Sequence, residues 1–113
     1  MSTVSQLQIV APQYLAAADA SLFQSSANTT VKIGRAVFIN TSASALTITA
    51  GITTLSAALT NATTLISARS IAPGESYVSP ELAGAVVPAG SQIRAFASAV
   101  TSVSIIVSGL SIV

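Results

Sequence analysis

Residues 36 to 68 carry no charged side chain. An uncharged stretch of that length has two physical outlets: a membrane-spanning helix, which needs about 20 predominantly apolar residues, or a series of β-strands. Ser, Thr and Asn recur every two or three positions through it, which is too polar for a segment surrounded by lipid. Hydroxyl side chains interleaved with Val, Ile and Leu are instead what the two faces of a pleated strand use. The rest of the chain has the same texture, with Lys and Glu, the usual fillers of helix surfaces, almost missing. The expected fold class is all-β, with no membrane partner.

The clearest strand runs from Val31 to Asn40. Strict alternation puts Val31, Ile33, Val37 and Ile39 on one face and Ala36 and Phe38 on the other, so both faces are apolar and the strand belongs inside a sheet. A strand is also expected at Ser5 to Val10, stopped by Ala11-Pro12, because the residue before a proline is restricted. The Ala16-Ala17-Ala18 run favours a helical turn by propensity. Asn40-Thr41-Ser42 reads as a turn, and Ala45 to Ala50 alternates Leu46 and Ile48 inward with Thr47 and Thr49 outward. Residues 51 to 62 are weakly periodic and suit an outer loop or a short edge strand, before Thr63 to Ile71 resumes extended structure.

Ala72-Pro73-Gly74-Glu75 is a strong turn signal, since proline presets one backbone angle and glycine supplies the positive one that follows. Ser79-Pro80-Glu81-Leu82 reads as a short helical turn near residues 79–84, with Ser79 as its N-cap and Gly84 as its stop. Val87-Pro88-Ala89-Gly90 makes another turn, and Ser91 to Ala99 and Thr101 to Ile112 complete the chain as strands. Roughly seven or eight short strands at this spacing point to a single-domain antiparallel β-sandwich or jelly roll. Residues 1–12 are expected to form an N-terminal strand or arm and residues 13–113 the sandwich, within the usual size of one domain.

Charged residues make up 6% of the 113 residues, against roughly 25% in an ordinary soluble domain. A surface so poor in charge is easily desolvated, because Lys and Glu are the residues that interfaces tend to exclude; such a chain is suited to being covered by neighbours. The net charge is +1 and the four basic residues are scattered over three segments, so no basic stripe exists to neutralise phosphates and direct nucleic-acid binding is not expected. There is no His and no Cys, and there are three carboxylates. Ser-His-Asp, Cys-His and His-metal constellations are therefore out of reach, and no enzyme activity or cofactor is expected. Glu75 and Glu81 are a conceivable glycosidase pair, but a turn residue and a helix-dipole partner describe them better. The beginning of the chain has neither the positive region nor the apolar run of a signal peptide, so synthesis in a cytoplasm is expected.

Three segments carry a resemblance. Ala20-Ser21-Leu22-Phe23-Gln24-Ser25 leads into the strand Val31 to Ile39 and then Asn40-Thr41-Ser42. Ile71-Ala72-Pro73-Gly74-Glu75-Ser76-Tyr77 follows, and then Val86-Val87-Pro88-Ala89-Gly90-Ser91-Gln92-Ile93-Arg94-Ala95-Phe96-Ala97-Ser98, with Ser108-Gly109 beyond it. In content and order these resemble the leucine-aromatic step, Pro-Gly-Glu turn and Ala-Gly-Asp turn of small virion structural proteins encoded by tailed bacteriophages and prophages. The sequence departs from that pattern at Ser91, where an acidic residue is common, and after Gly109. The resemblance implies a β-sandwich that assembles in rings or trimers on a head, neck, collar or tail. The expected role is a structural virion subunit (head decoration, collar, neck or tail) made in the host cytoplasm, working as a homo-oligomer (trimer, pentamer or hexamer) with other virion proteins. The alternative is a carbohydrate-binding adhesion module of a phage fibre, for which Tyr14 and Tyr77 are the candidate aromatics.

The expected contact residues are Val4, Leu7 and Ile9 in the arm, which would pair with a neighbour's edge strand, and Arg35, Arg94, Glu75 and Glu81. A cross-subunit ion pair between one of these arginines and one of these glutamates would fix register and partner choice. Lys32 and Arg35 are expected on opposite faces of their strand. Asn28-Thr29-Thr30, Asn40-Thr41-Ser42 and Asn61-Ala62-Thr63 match the glycosylation sequon but are read as turns. Tyr14, Phe23, Phe38, Tyr77 and Phe96 are read as core or interface anchors.

Overall fold

The computed structural model describes residues 4–54, 57–60, 62–99 and 102–112. Nine strands follow one another: β1 (Val4–Tyr14), β2 (Ala20–Gln24), β3 (Thr30–Asn40), β4 (Leu46–Thr54), β5 (Thr64–Ile71), β6 (Ser76–Val78), β7 (Val86–Val87), β8 (Ser91–Ala97) and β9 (Val103–Ile112). The first sheet has the order β1-β9-β3-β6, with β7 also on β3, and the second has the order β2-β8-β4-β5. All pairings are antiparallel, and β1 with β9, β2 with β8, β3 with β6 and β7, and β4 with β5 are nested, while β3–β9 and β4–β8 join these pairs within each sheet. The chain is thus one long hairpin whose successive strand pairs fall alternately in the two sheets. That is the jelly-roll form of the antiparallel sandwich, one of the two architectures expected from the sequence.

The core lies between the sheets. Val31, Ile33, Phe38, Ile105 and Val107 enter it from the first sheet and Ile48, Ile66, Ile71 and Ile93 from the second, with Leu15 and Leu82 plugging it from connecting segments. Ser79 accepts the Leu82 N–H on its hydroxyl at 3.1 Å, the capping bond expected there. It organises a single hydrogen-bonded turn, and among the described residues no helix forms. At the Ala72–Glu75 turn the Glu75 N–H reaches the Ala72 carbonyl at 3.0 Å, and Gly74 takes the expected positive φ of 74°.

Asn40 is fully buried at the end of β3. Its amide nitrogen donates to the Ser44 and Ile71 carbonyls at 2.8 and 3.0 Å, and its side-chain oxygen accepts the Ser42 N–H at 2.9 Å. One polar side chain therefore ties three segments together. A buried amide stays favourable only when it is satisfied in this way. The same bonds make this sequon a structural turn. Asn28 lies in a turn closed by Thr29 on the Ser26 carbonyl at 3.2 Å, and Asn61 falls outside the described residues.

Four local expectations are corrected. The alanine run at residues 16–18 is a bend rather than a helical turn; three alanines cannot nucleate a helix without a longer periodic face. β1 does not stop at Ala11-Pro12 but continues to Tyr14, with register shifts between Val10 and Gln13. Proline is tolerated there because β1 is an edge strand with a bulge, where the missing N–H leaves no partner stranded. β4 continues through residues 51–54, which the weak periodicity hid. In β3 a register shift between Ile33 and Arg35 changes the phase of alternation. Val31 and Ile33 share the inner face with Ala36, Phe38 and Asn40, while Val37 and Ile39 turn outward. Lys32 and Arg35 accordingly sit on the same outer face rather than on opposite faces.

Gly109 on β9 makes that bulge possible. A Cβ there would lie 2.0 Å from the Lys32 carbonyl oxygen and 2.9 Å from the Gly34 nitrogen, so only glycine lets the two strands approach at the bulge.

Candidate functional site

One end of the outer face of the second sheet is covered by the chain itself. The loop after β4 folds back across Gly51, where a Cβ would meet the Thr63 carbonyl oxygen at 2.1 Å and Leu59 at 2.8 Å. Two side chains hold the loop down. The Gln92 amide nitrogen, buried on β8, reaches Thr53 Oγ1 and the Thr54 and Ala57 carbonyls, each at 3.1 Å. Asp19 accepts the Leu59 N–H at 3.0 Å on one oxygen and Arg94 Nε at 2.8 Å on the other. Burial pushes the Asp19 carboxyl up, but the bond from Arg94, the Leu59 N–H and the guanidinium charge outweigh it and leave the group below its ordinary value.

Among the described residues, the outer face of the first sheet has no such cover. Residues directly across a ladder share a face, so the strand registers give its layout row by row. Val4, Ile112 and Thr30 form the first row. Gln6, Leu110, Lys32 and Val86 form the next, followed by Gln8, Ser108 and Arg35. Ile106, Val37 and Val78 make an unbroken apolar row, and Tyr14, Ser104, Ile39 and Ser76 close the face. Val78 is 49% exposed and Tyr14 50%. Two shallow depressions lie on it, one of about 540 Å³ lined by Gln6, Gln8, Gly34, Ser108, Gly109 and Leu110 and one of about 320 Å³ lined by Arg35, Val37, Ile106 and Ser108. The face is apolar at its centre, cationic at Lys32 and Arg35, and carries no acid in any row.

The sandwich is closed at its β6 edge by Tyr77. Its hydroxyl donates to Glu81 Oε1, which also accepts the Ser79 hydroxyl at 3.1 Å. Its ring lies 6.4 Å from Phe38 and is capped by the Arg69 guanidinium at 4.1 Å. The Tyr77 bond holds the Glu81 carboxyl below its ordinary range, while burial and the neighbouring carboxylate raise the Tyr77 phenol. Glu75 stands exposed at the adjacent turn, where it accepts the Ala72 N–H at 2.8 Å.

Of the expected contact residues, Val4, Arg35 and Glu75 are exposed, as is Glu81, whose carboxylate is already engaged by Tyr77 and Ser79. Arg94 is half-buried and bonded to Asp19 of its own chain. Ile9 is in the core, and the Leu7 side chain lies outside the described set. β1 pairs with β9 of its own chain from Val4 onward. Cutting away residues 1–12 would therefore remove Ile9 and Val10 from the core and most of β1 from the first sheet. The sequence reading missed the Asp19–Arg94 pair, whose members are 75 residues apart and share no motif. It also missed Arg69, for which nothing in the sequence signals a place over Tyr77.

No protein-family model matches the sequence, and no curated protein matches it. Solved structures do match. A chain in the structure of infectious bursal disease virus Gx strain superposes with a TM-score of 0.61 at 16% identity, over 99% of this chain and 33% of that one. The VP2 subviral particle of the same virus gives 0.62 at 17% identity, over 98% and 32%. A T=1 particle derived from that virus gives 0.60 at 13% identity, over 98% and 31%. The chain thus spans about a third of the length of these virus-particle chains. At such identities the likeness is one of fold.

Proposed function

We propose that this chain is a structural subunit of a virion, acting by assembly with copies of itself and with other virion proteins and not by catalysis. The observation that carries the proposal is the likeness of 98–99% of the chain to parts of virus-particle proteins. The uncovered first-sheet face and the 6% charge content support it, because both lower the cost of burying surface against a neighbour. A fold alone does not specify a role, and this surface adds the means of assembly that the likeness by itself does not. The particle type we assign is a tailed bacteriophage, with the subunit in the head decoration, collar, neck or tail; the three resembling segments support that assignment. Synthesis in the host cytoplasm goes with it. Val4, Arg35 and Glu75 are the expected contact residues that remain exposed.

The adhesion alternative keeps one of its two candidate aromatics. It needs exposed aromatics beside polar groups; Tyr14 is 50% exposed in the row with Ser104 and Ser76, whereas Tyr77 has both its ring and its hydroxyl engaged inside the subunit.

Two measurements test the proposal. Light scattering of the purified chain should give a discrete homo-oligomer, and mass spectrometry of particles purified from the host that encodes it should detect the chain as a regular component. A monomer at every concentration, or particles lacking the chain, would overturn it.

A further inference from the structure

We infer that the bulge of the first sheet is a binding site for a carboxylate-bearing sugar, seated over Gly34 between Gln6, Gln8, Lys32 and Arg35. The inference goes beyond the assembly reading and concerns only the polar end of the outer face, not the apolar row of Val37, Ile106 and Val78. It starts from two glycines that differ. Gly109 is demanded by the fold, because a Cβ there would lie 2.0 Å from the Lys32 carbonyl oxygen. Gly34 is not demanded: a Cβ on it would meet nothing closer than the Ser108 carbonyl oxygen at 3.5 Å and the Gly109 Cα at 3.6 Å, which are ordinary contacts, and its φ is not positive. A glycine inside a strand weakens it relative to alanine and marks a place where a ligand or another backbone approaches closely. Gly34 is exposed and lines the larger depression, so the side chain it omits is space kept open there.

The groups around this opening are uncommitted. Gln6 and Lys32 stand on either side of Leu110, and Gln8 and Arg35 on either side of Ser108. With about 4.8 Å between strands and about 7 Å between alternate residues, the four mark the corners of a rectangle of about 10 by 7 Å, the scale of one sugar ring with its substituents. All four are exposed, and among the described residues neither they nor the Ser108 hydroxyl make a side-chain hydrogen bond or ion pair within the subunit. The other two cations are occupied, Arg94 by Asp19 and Arg69 by the Tyr77 ring. The acids lie elsewhere: Asp19 on Arg94, Glu81 on Tyr77 and Ser79, and Glu75 on the Ala72 N–H. Lys32 and Arg35 therefore hold positive charge at the opening with no acid to answer it, which selects an anion. Two cations side by side are too few for a chain of phosphates, whereas one arginine fork suits one carboxylate. The carboxamides and the hydroxyl both donate and accept, which matches a ring of sugar hydroxyls better than a bare inorganic anion. The two depressions, of about 540 and 320 Å³, share Ser108 and fall in the size range of small-ligand sites.

The test is a ligand-observed nuclear magnetic resonance titration of glucuronate, galacturonate and N-acetylneuraminate with the purified full chain, with circular dichroism to verify that each variant is folded. At least one of these sugars should bind with a Kd on the order of 1 mM, as suits a single sugar on an open site. Glucose, which lacks the carboxylate, and acetate and inorganic phosphate, which lack the ring of hydroxyls, should each bind at least about tenfold more weakly. Arg35→Gln should weaken the acidic sugar roughly tenfold. Gly34→Val fills the opening and should remove binding; if it does not fold, Gly34→Ala, whose methyl the strand accommodates, should still weaken binding by about fivefold or more. No binding of any of the three sugars, acetate or phosphate binding as tightly as the sugar, or an affinity unchanged by the Arg35 and Gly34 variants would overturn the site. Sugar binding is read independently of oligomeric state. An oligomer that binds no sugar would overturn the site alone, and a monomer that binds one would overturn the assembly reading alone.

Discussion

The two sheets of this sandwich treat their outer faces differently. The second sheet is covered from within: the loop after β4 lies across Gly51 and is pinned by Gln92 and by Asp19 with Arg94. On the first sheet Val78 and Tyr14 are half-exposed and Val37 and Ile106 partly so, and among the described residues no such loop lies over them. Burying that much apolar surface would add stability to the subunit at about 25 cal/mol per Å², so a chain that can fold a loop over one face and leaves the other bare is suited to have the second covered by something else. The difference separates a face that belongs to folding from a face that, under the proposed function, is the one left for assembly.

Breaking the covered face should have the largest effect on the isolated subunit. Gly51→Ala drives a methyl into the Thr63 carbonyl, and the resulting strain should lower unfolding free energy by about 2 kcal/mol in urea denaturation. Asp19→Asn comes next: it keeps an acceptor for the Leu59 N–H but loses the ion pair, at a cost of about 1 kcal/mol for a pair still partly solvated. The same group gives a pH dependence with a definite sign. Its folded pKa lies below the ordinary 3.8, so its contribution is complete above that value and is lost as pH falls through the lowered folded value. Hydrogen exchange of the loop at 57–63 should therefore quicken on acidification below about pH 4, and Asp19→Asn should abolish that response. The smallest effect belongs to the open face: Val78→Thr should change the stability of the isolated subunit by less than about 0.5 kcal/mol in the same denaturation experiment. A large loss there would mean that the open face already serves the fold.

The sequence made some of this fold legible and not the rest, for physical reasons that differ by site. Ala72–Glu75, the Ser79 cap and the β3 strand were readable because each is local chemistry: a proline followed by a glycine, a hydroxyl three residues before an N–H, a run of β-branched residues. The faces of β3 were not, because one extra residue at Gly34–Arg35 reverses every later side chain, and the reason for that bulge sits on β9 at Gly109. The expected contact residues divide in the same way. Glu75 is exposed at the turn that Pro73-Gly74 marks, whereas Arg35 reaches the outer face only through the bulge beside Gly34, and Arg94 found an acid that no spacing rule connects to it.

The nested pairing of strands also sets when this subunit can fold. Val4 lies across from Ile112 and Gln8 across from Ser108, so β1 has no partner until β9 has left the ribosome, at about 5–20 residues per second. Closure joins the two ends of the hairpin last and belongs to the slow class of folding reactions, on the order of milliseconds to seconds, in which distant segments must meet before any reward is gained. During that interval the Val, Ile and Thr-rich strands are exposed with almost no charge to keep neighbouring nascent chains apart. Yield of the folded subunit in a producing cell should therefore be governed by the rate of synthesis and the help of chaperones as much as by the stability of the finished sandwich.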